Sequence, residues 1–212
     1  MSHLFWYTAR AGGIVAWALL AASVVWGLWL SGRVRPFGVR PAWILDLHRF
    51  LGGLATVFVG VHVVAILADS YTSFGLSDVL VPFAAQWHPL AVAWGIVGLY
   101  VMLAVELTSL ARKHLPNTLW RRIHVMALPL YVLATIHYLA AGTDSTNPMS
   151  LVAIVVATGS VAILFTRRMR EMRDRNSRRA SRPDRVLPSP APIAVGSGSD
   201  TDDRPRRIPQ RA

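Results

Sequence analysis

The stretch RRIHVMALPLYVLATIHYLAAG, residues 121–142, decides the fold of this chain because it is apolar enough to cross a membrane. It also carries two imidazoles, His124 and His137, thirteen residues apart. Ionisable side chains are costly inside hydrocarbon and usually mark a functional site there. The stretch therefore predicts a membrane-spanning helix and a site within it.

Four further apolar runs resemble this one in length. The chain has 212 residues, of which 53% are hydrophobic and 16% charged, and its mean hydropathy is +0.41. About 20 apolar residues cross about 30 Å of hydrocarbon. We therefore predict an all-α, polytopic membrane bundle of about five transmembrane helices. The runs lie at about residues 14–30, 44–68, 90–111, 119–141 and 151–165. The first follows three aromatic residues and is too long for a signal peptide, so we expect it to be retained.

Composition also excludes several kinds of site. The chain has no cysteine, which excludes disulfides, thiolate metal sites and iron–sulfur clusters. The net charge of +11 arises largely in residues 167–212, which hold thirteen arginines and six acids. We predict two parts, a membrane domain at 1–166 and a basic, disordered cytoplasmic tail at 167–212. That tail suits anionic lipid or an acidic flavoprotein better than nucleic acid.

The loops indicate how the chain crosses the membrane. Basic residues lie in the first loop, in the third loop and in the tail, whereas the second and fourth loops carry Asp69, Asp78 and Asp144 without any Lys or Arg. Lys and Arg accumulate on the cytoplasmic side. We therefore expect an inner-membrane protein with its N-terminus outside, its tail in the cytoplasm, and parallel second and fourth spans.

Those two parallel spans carry two histidines each. His48 and His62 are fourteen residues apart on the second span, as His124 and His137 are thirteen apart on the fourth. At about 1.5 Å per residue, the members of each pair lie about 20 Å apart along the helix. This separation predicts two sites, one formed by His48 with His124 and the other by His62 with His137.

Paired imidazoles favour haem iron as the bound metal. Two opposed imidazoles form a six-coordinate centre suited to electron transfer. The alternative for each histidine is a hydrogen bond within the bundle. For the whole chain, the alternatives are a non-redox transporter or accessory subunit that uses the histidines for metal binding or proton relay, and a lipid-docked assembly factor that works through its tail.

One feature of the fourth span conflicts with this pairing. At about 100° per residue, fourteen residues return His62 to within about 40° of His48, but thirteen leave His137 about 140° from His124. Pro129 lies between them. Proline removes a backbone donor and kinks a helix, so we expect either a change of phase near Pro129 or a helix that rolls across the two sites.

The chain resembles the ferric reductase-like transmembrane domain family over about residues 7–165. The resemblance lies in TARAGGIVAW, in LHR with His48 and then His62, in WRRIH with His124, and in His137 followed by AAGTD. It implies a membrane cytochrome b that holds two b-type haems and transfers electrons between a cytoplasmic or quinol donor and an unknown acceptor outside. Larger relatives continue into flavin and nicotinamide domains, whereas only the basic tail follows residue 165 here. We therefore expect no flavin or NAD(P) within this chain, and a separate flavoprotein or quinol as donor.

Other residues take secondary roles in this interpretation. Haem propionates need cationic partners, and the candidates are Arg49, Arg121 and Arg122 at the inner site and Arg10 at the outer one. Glu106 is expected to pair with Arg112 or Lys113 at a helix end, with proton uptake or a quinone contact as the alternative. Three more histidines are expected at the surface: His3, His88 and His114. His88 is also a candidate to face the acceptor. Gly52, Gly53, Gly60, Gly95 and Gly98 are expected to allow close helix packing.

Overall fold

The fold is described by a computed structural model, which covers residues 2–32, 41–69 and 74–180. Every regular element within these ranges is helical. In chain order they are α1 (Ser2–Ser31), α2 (Pro41–Ala68), α3 (Leu76–Leu80), α4 (Pro89–Leu110), a 3₁₀ turn (Ala111–His114), α5 (Asn117–Val125), α6 (Ala127–Ala141) and α7 (Pro148–Ala180).

Five helical segments are long and apolar enough to span a membrane. They are His3–Ser31, Ala42–Ala68, Pro89–His114, Asn117–Ala141 and Pro148–Arg178. Large apolar side chains such as Val64, Leu110 and Val155 are exposed on their outer faces. A helix satisfies its own backbone hydrogen bonds, so such faces suit contact with lipid. The predicted all-α membrane bundle is confirmed, and the chain is a multi-pass membrane protein.

The last helix departs from the sequence-based prediction. Disorder was expected from residue 167, but α7 continues without a break to Ala180. Arg168 and Glu171, one turn apart, form an ion pair at 3.8 Å on this extension. The composition of residues 167–180 is that of a solvated tail. Ion pairs at this spacing nevertheless stabilise a helix, and the apolar span before them already provides the helical nucleus. Residues 181–212 lie outside the described ranges.

The hydrophobic core of the bundle lies midway between its two ends. Ala55 is fully buried on α2, seven residues from each histidine of that helix. Around it pack side chains from α1, α4, α6 and α7, including Trp17, Met102 and Tyr131. The Trp17 indole donates to Thr135 Oγ1 at 3.0 Å, which ties α1 to α6. This packed layer separates the two levels at which the histidines lie.

The two ends of the bundle differ in charge. We call the end that carries His48 and His124 the basic end; its cations are Arg49, Arg112, Lys113, Arg121 and Arg122. We call the end that carries His62 and His137 the acidic end, where Asp69 and Asp144 lie.

Candidate functional site

The four histidines form two pairs, one at each level of the bundle. At the basic end the ring centres of His48 and His124 are 5.8 Å apart, with an angle of 83° between the ring planes. At the acidic end the centres of His62 and His137 are 6.4 Å apart, and the angle is 79°. The two pairs are therefore alike in both separation and relative orientation. Each joins α2 to the helix pair α5 and α6.

A break in the fourth span allows both of its histidines to face α2. Helix α5 ends at Val125, and α6 begins at Ala127. Pro129 has no N–H for the carbonyl of Val125, and its ring crowds that carbonyl. The backbone N–H of Met126 donates to the carbonyl of Ile123, three residues earlier, at 2.9 Å. This turn is tighter than an α-helical turn and changes the phase of the helix. Of the two alternatives that the sequence left open, this break favours the change of phase, and it lies one turn before Pro129.

Three of the four imidazoles are held by a backbone carbonyl. The Nδ1 atoms of His48, His62 and His137 lie 3.0, 2.6 and 2.8 Å from the carbonyl oxygens of Ser23, Ala9 and Ala91. A carbonyl only accepts, so each Nδ1 carries the proton. Nε2 is then left free with its lone pair, as a metal ligand requires.

A glycine lies four residues after each of these carbonyls. A Cβ at Gly95 would lie 2.7 Å from His137 Cε1, one at Gly13 would lie 2.9 Å from His62 Nδ1, and one at Gly27 would lie 3.1 Å from His48 Cε1. On a helix, residues four apart lie on the same face. The glycine therefore opens the space through which the ring reaches the carbonyl. We call each carbonyl with its glycine a histidine seat.

The seats were missed in the sequence, although a signal for two of them exists. Gly13 and Gly27 are fourteen residues apart on α1, and so are His48 and His62 on α2. Helices α1 and α2 are antiparallel neighbours, so equal spacings bring one glycine to each histidine. Gly95 was expected to allow close helix packing, and its backbone lies against the ring of His137.

A cavity of about 630 Å³ opens beside the pair at the acidic end. His62 and His137 line it together with the seat glycines Gly13 and Gly95. Its wall is largely apolar, and Asp69 and Asp144 are among the few polar groups. The cavity is large enough for a flat, mostly apolar cofactor.

Arg10 lies at this cavity, as expected, but it has a partner that the sequence did not suggest. Its guanidinium donates twice to the carboxylate of Asp144 and lies over the ring of Trp6, 5.1 Å from the ring centre. The guanidinium holds the pKa of Asp144 below its ordinary value. The ion pair joins α1 to the loop that follows α6.

The other proposed cations lie at the surface of the basic end. Arg49 is exposed and 3.8 Å from Asp46. Arg121 and Arg122 are exposed on α5 and line a shallow depression there. None of the three is among the residues that line the cavity at the acidic end.

Glu106 does not form the ion pair expected of it. Within residues 2–32, 41–69 and 74–180, no ion pair joins it to Arg112 or Lys113. Its Oε1 lies 3.0 Å from the position of a Cβ on Gly52, so the carboxyl points toward α2.

The remaining histidines lie at the surface, as predicted. His3, His88 and His114 are exposed. His88 precedes α4 with a left-handed backbone, φ 42°, and packs edge-on against Trp87. Trp87 lines the cavity, whereas His88 is not among its lining residues.

Comparison with known proteins agrees with this architecture. The family described as "Ferric reductase like transmembrane component" matches residues 12–135, which include His48, His62 and His124 and end two residues before His137. An uncharacterised protein of Archaeoglobus fulgidus is 28% identical over 137 residues, which cover 60% of this chain and 72% of that protein. No solved structure matches the chain. Because the family match extends over more than half of its length, the chain belongs to the ferric reductase-like transmembrane family.

Proposed function

We propose that the chain is a cytochrome b subunit that holds two haems and carries electrons across the membrane. The family supports membrane electron transfer in general. The observation that carries the finer proposal is the repetition of one arrangement at two levels: two imidazoles from neighbouring helices, about 6 Å between ring centres and nearly perpendicular planes.

The separation of the rings fits a metal held between them. An imidazole nitrogen binds a transition metal at about 2.0–2.1 Å, and each ring centre lies about 1.1 Å beyond its nitrogen, so opposed ligands place the centres about 6.3 Å apart. The observed separations are 5.8 and 6.4 Å. The cavity beside His62 and His137 provides apolar space for a porphyrin.

The number of protein ligands also supports haem over a bare ion. Among the residues that the structure describes, no group of three or more His, Cys, Asp or Glu side chains is placed to hold a metal. Each level thus contributes two imidazoles, whereas structural and catalytic zinc sites use three or four protein ligands. A porphyrin would supply the remaining ligands itself, so the two imidazoles at each level would be enough to hold it.

His48 with His124, and His62 with His137, would each hold one haem, which would supply one-electron transfer chemistry when bound. Residues of the chain would orient the histidines and bind the haem propionates. The seats fix the tautomer and direction of His48, His62 and His137. Arg10 is the cation at the acidic end that could donate to propionates; its Nε and Nη2 donate to Asp144, which leaves Nη1 for this role. Arg49, Arg121 and Arg122 are the cations available at the basic end.

The charge difference between the ends supports an orientation. We infer that the basic end faces the cytoplasm of an inner membrane, with the N-terminus outside. The donor is then a separate flavoprotein or a quinol, and the acceptor meets the acidic end. Reduction of the haems in native membranes by NAD(P)H with a flavoprotein, compared with reduction by a quinol, distinguishes the two donors.

Haem content tests the proposal. The purified full-length chain is expected to contain two low-spin haems, and colourless protein would overturn the proposal in favour of a non-redox role. Replacing His62 or His137 with Leu should leave one haem, and replacing His48 or His124 should remove the other. His88→Asn is the matched control, because His88 is exposed and Asn tolerates its left-handed backbone. This variant should retain both haems.

A further inference from the structure

His124 is the one histidine of the four without a seat. Its Nδ1 lies 3.4 Å from the hydroxyl of Ser109, beyond the ordinary range of about 2.7–3.2 Å for a nitrogen donor. The residue four positions after Ser109 is Lys113, where each seat has a glycine. The ring of His124 therefore needs another support.

The helix that carries His124 provides little support through its backbone. α5 has nine residues, none of them buried, and it ends one residue after His124. A short, exposed helix end is a region of low local stability. The direction of this imidazole is therefore decided by what its ring touches.

Trp120 covers the ring of His124 from one turn earlier. The ring centres are 5.0 Å apart, and the planes are inclined by 22°. This is a stacked arrangement within the favourable range of about 4.5–7 Å. Within the described ranges, His48, His62 and His137 have no comparable aromatic stack, and each has a carbonyl instead.

Arg112 also lies over the ring of Trp120. Its guanidinium carbon lies 4.2 Å from the indole ring centre, which is well inside the cation–π range of about 6 Å. The indole Nε1 is buried and has no hydrogen-bond partner in the part of the chain that the structure describes. Trp120 is thus held by contacts of its ring with a guanidinium and an imidazole, and not by its N–H.

We propose that Trp120 is the positioning residue of the inner site: its stack, capped by Arg112, orients His124 as the seats orient the other three axial histidines. This inference rests on the proposed haem function. It explains why the angle between the ring planes at the basic end, 83°, matches the 79° at the acidic end although one seat is missing.

The proposal separates two variants of the same residue. Phe at position 120 keeps a smaller aromatic face and loses an N–H that has no partner, so Trp120→Phe should largely preserve the inner site. Leu loses the face. Loss of a residue that orients a metal ligand commonly lowers metal affinity by about 10–100-fold, so Trp120→Leu should weaken retention of the inner haem about tenfold or more.

Electron paramagnetic resonance of the oxidised, full-length protein measures the orientation itself. Perpendicular imidazole planes give low-spin ferric haem a strongly anisotropic signal, and the anisotropy falls as the planes become parallel. In a His62→Leu background, which lacks the outer haem, Trp120→Leu should shift the remaining signal toward lower anisotropy, and Trp120→Phe should not. Trp43→Leu, at a tryptophan that is 56% exposed, is the control and should leave the signal unchanged.

An unshifted signal with full retention in Trp120→Leu would overturn the proposal, as would equal damage by Phe and Leu. If the Leu variant fails to fold, Arg112→Gln at an exposed position provides the second test. Removal of the Arg112 guanidinium should shift the signal of the inner haem in the same direction as Trp120→Leu, but by less. An unchanged signal would contradict the role of Arg112. A wild-type chain without haem refutes the proposed function instead, so the two failures are distinguishable.

Discussion

A methyl group at Gly95 should expel the haem of the acidic end while the fold survives. The added Cβ would lie 2.7 Å from Cε1 and 2.8 Å from Nδ1 of His137. Carbon atoms in contact prefer at least about 3.5 Å, so the ring would have to move by about 0.8 Å. Its hydrogen bond to the Ala91 carbonyl, 2.8 Å long, opposes that movement. Metal–ligand distances tolerate only about 0.2 Å.

The three seat glycines allow a graded version of the same experiment. An added Cβ would lie closer to the histidine ring than 3.5 Å by about 0.8 Å at Gly95, about 0.6 Å at Gly13 and about 0.4 Å at Gly27. Alanine at Gly95 should therefore remove most of the outer haem, and alanine at Gly13 somewhat less of it. Alanine at Gly27 should have the smallest effect, a weaker retention of the inner haem. Overpacking of this kind costs about 1–3 kcal/mol, which is less than the stability of most domains.

The assay is the ratio of haem to protein after purification, with circular dichroism to verify the helix content. Gly60→Ala is the matched control, because Gly60 lies on α2 two residues before His62 and a Cβ there meets nothing within 4 Å. It should retain both haems. Full haem content with an unchanged spectrum in Gly95→Ala would refute the seat as the device that holds His137.

Three further outcomes are expected. Pro129→Ala restores the N–H that the Val125 carbonyl lacks, so it should straighten the fourth span, turn His124 away from His48 and lower the inner haem content; unchanged content would assign the break to packing. The Arg10 ion pair depresses the pKa of Asp144 in the folded state, so its stabilisation is complete above the ordinary value of 3.8 and is lost as the pH falls through the lower folded value. The difference in melting temperature between wild type and Asp144→Asn should accordingly be constant from about pH 8 to about pH 5 and close only under stronger acid, and a difference that closes near neutral pH would contradict this assignment. Glu106→Gln should leave chemical reduction of the haems intact, and a selective loss of quinol-driven reduction would identify the carboxyl as a quinol contact.

Much of the architecture was predictable from local sequence. Five apolar runs of sufficient length predict five spans because a helix in lipid depends on composition and length more than on specific neighbours. The pairing of His48 with His124 and of His62 with His137 followed from nearly equal spacings on parallel spans. Pro129 indicated a change of phase because the missing N–H is a covalent property of the residue. The continuation of α7 past Phe165 was not predicted, since polar composition describes solvation and not whether a preceding span already provides a helical nucleus.

By itself, then, the sequence determined the number of spans, the two levels of histidines and the presence of a proline between His124 and His137. These follow from length, spacing and covalent structure. Only the tertiary structure decided which carbonyl accepts from His48, His62 and His137, why Gly13, Gly27 and Gly95 leave little room for a side chain, and which ring stacks on His124. These depend on contacts between helices that are distant in sequence, and a contact of 2.7 Å or a stack of 5.0 Å is set by how two helix surfaces meet and not by the residues of either one alone.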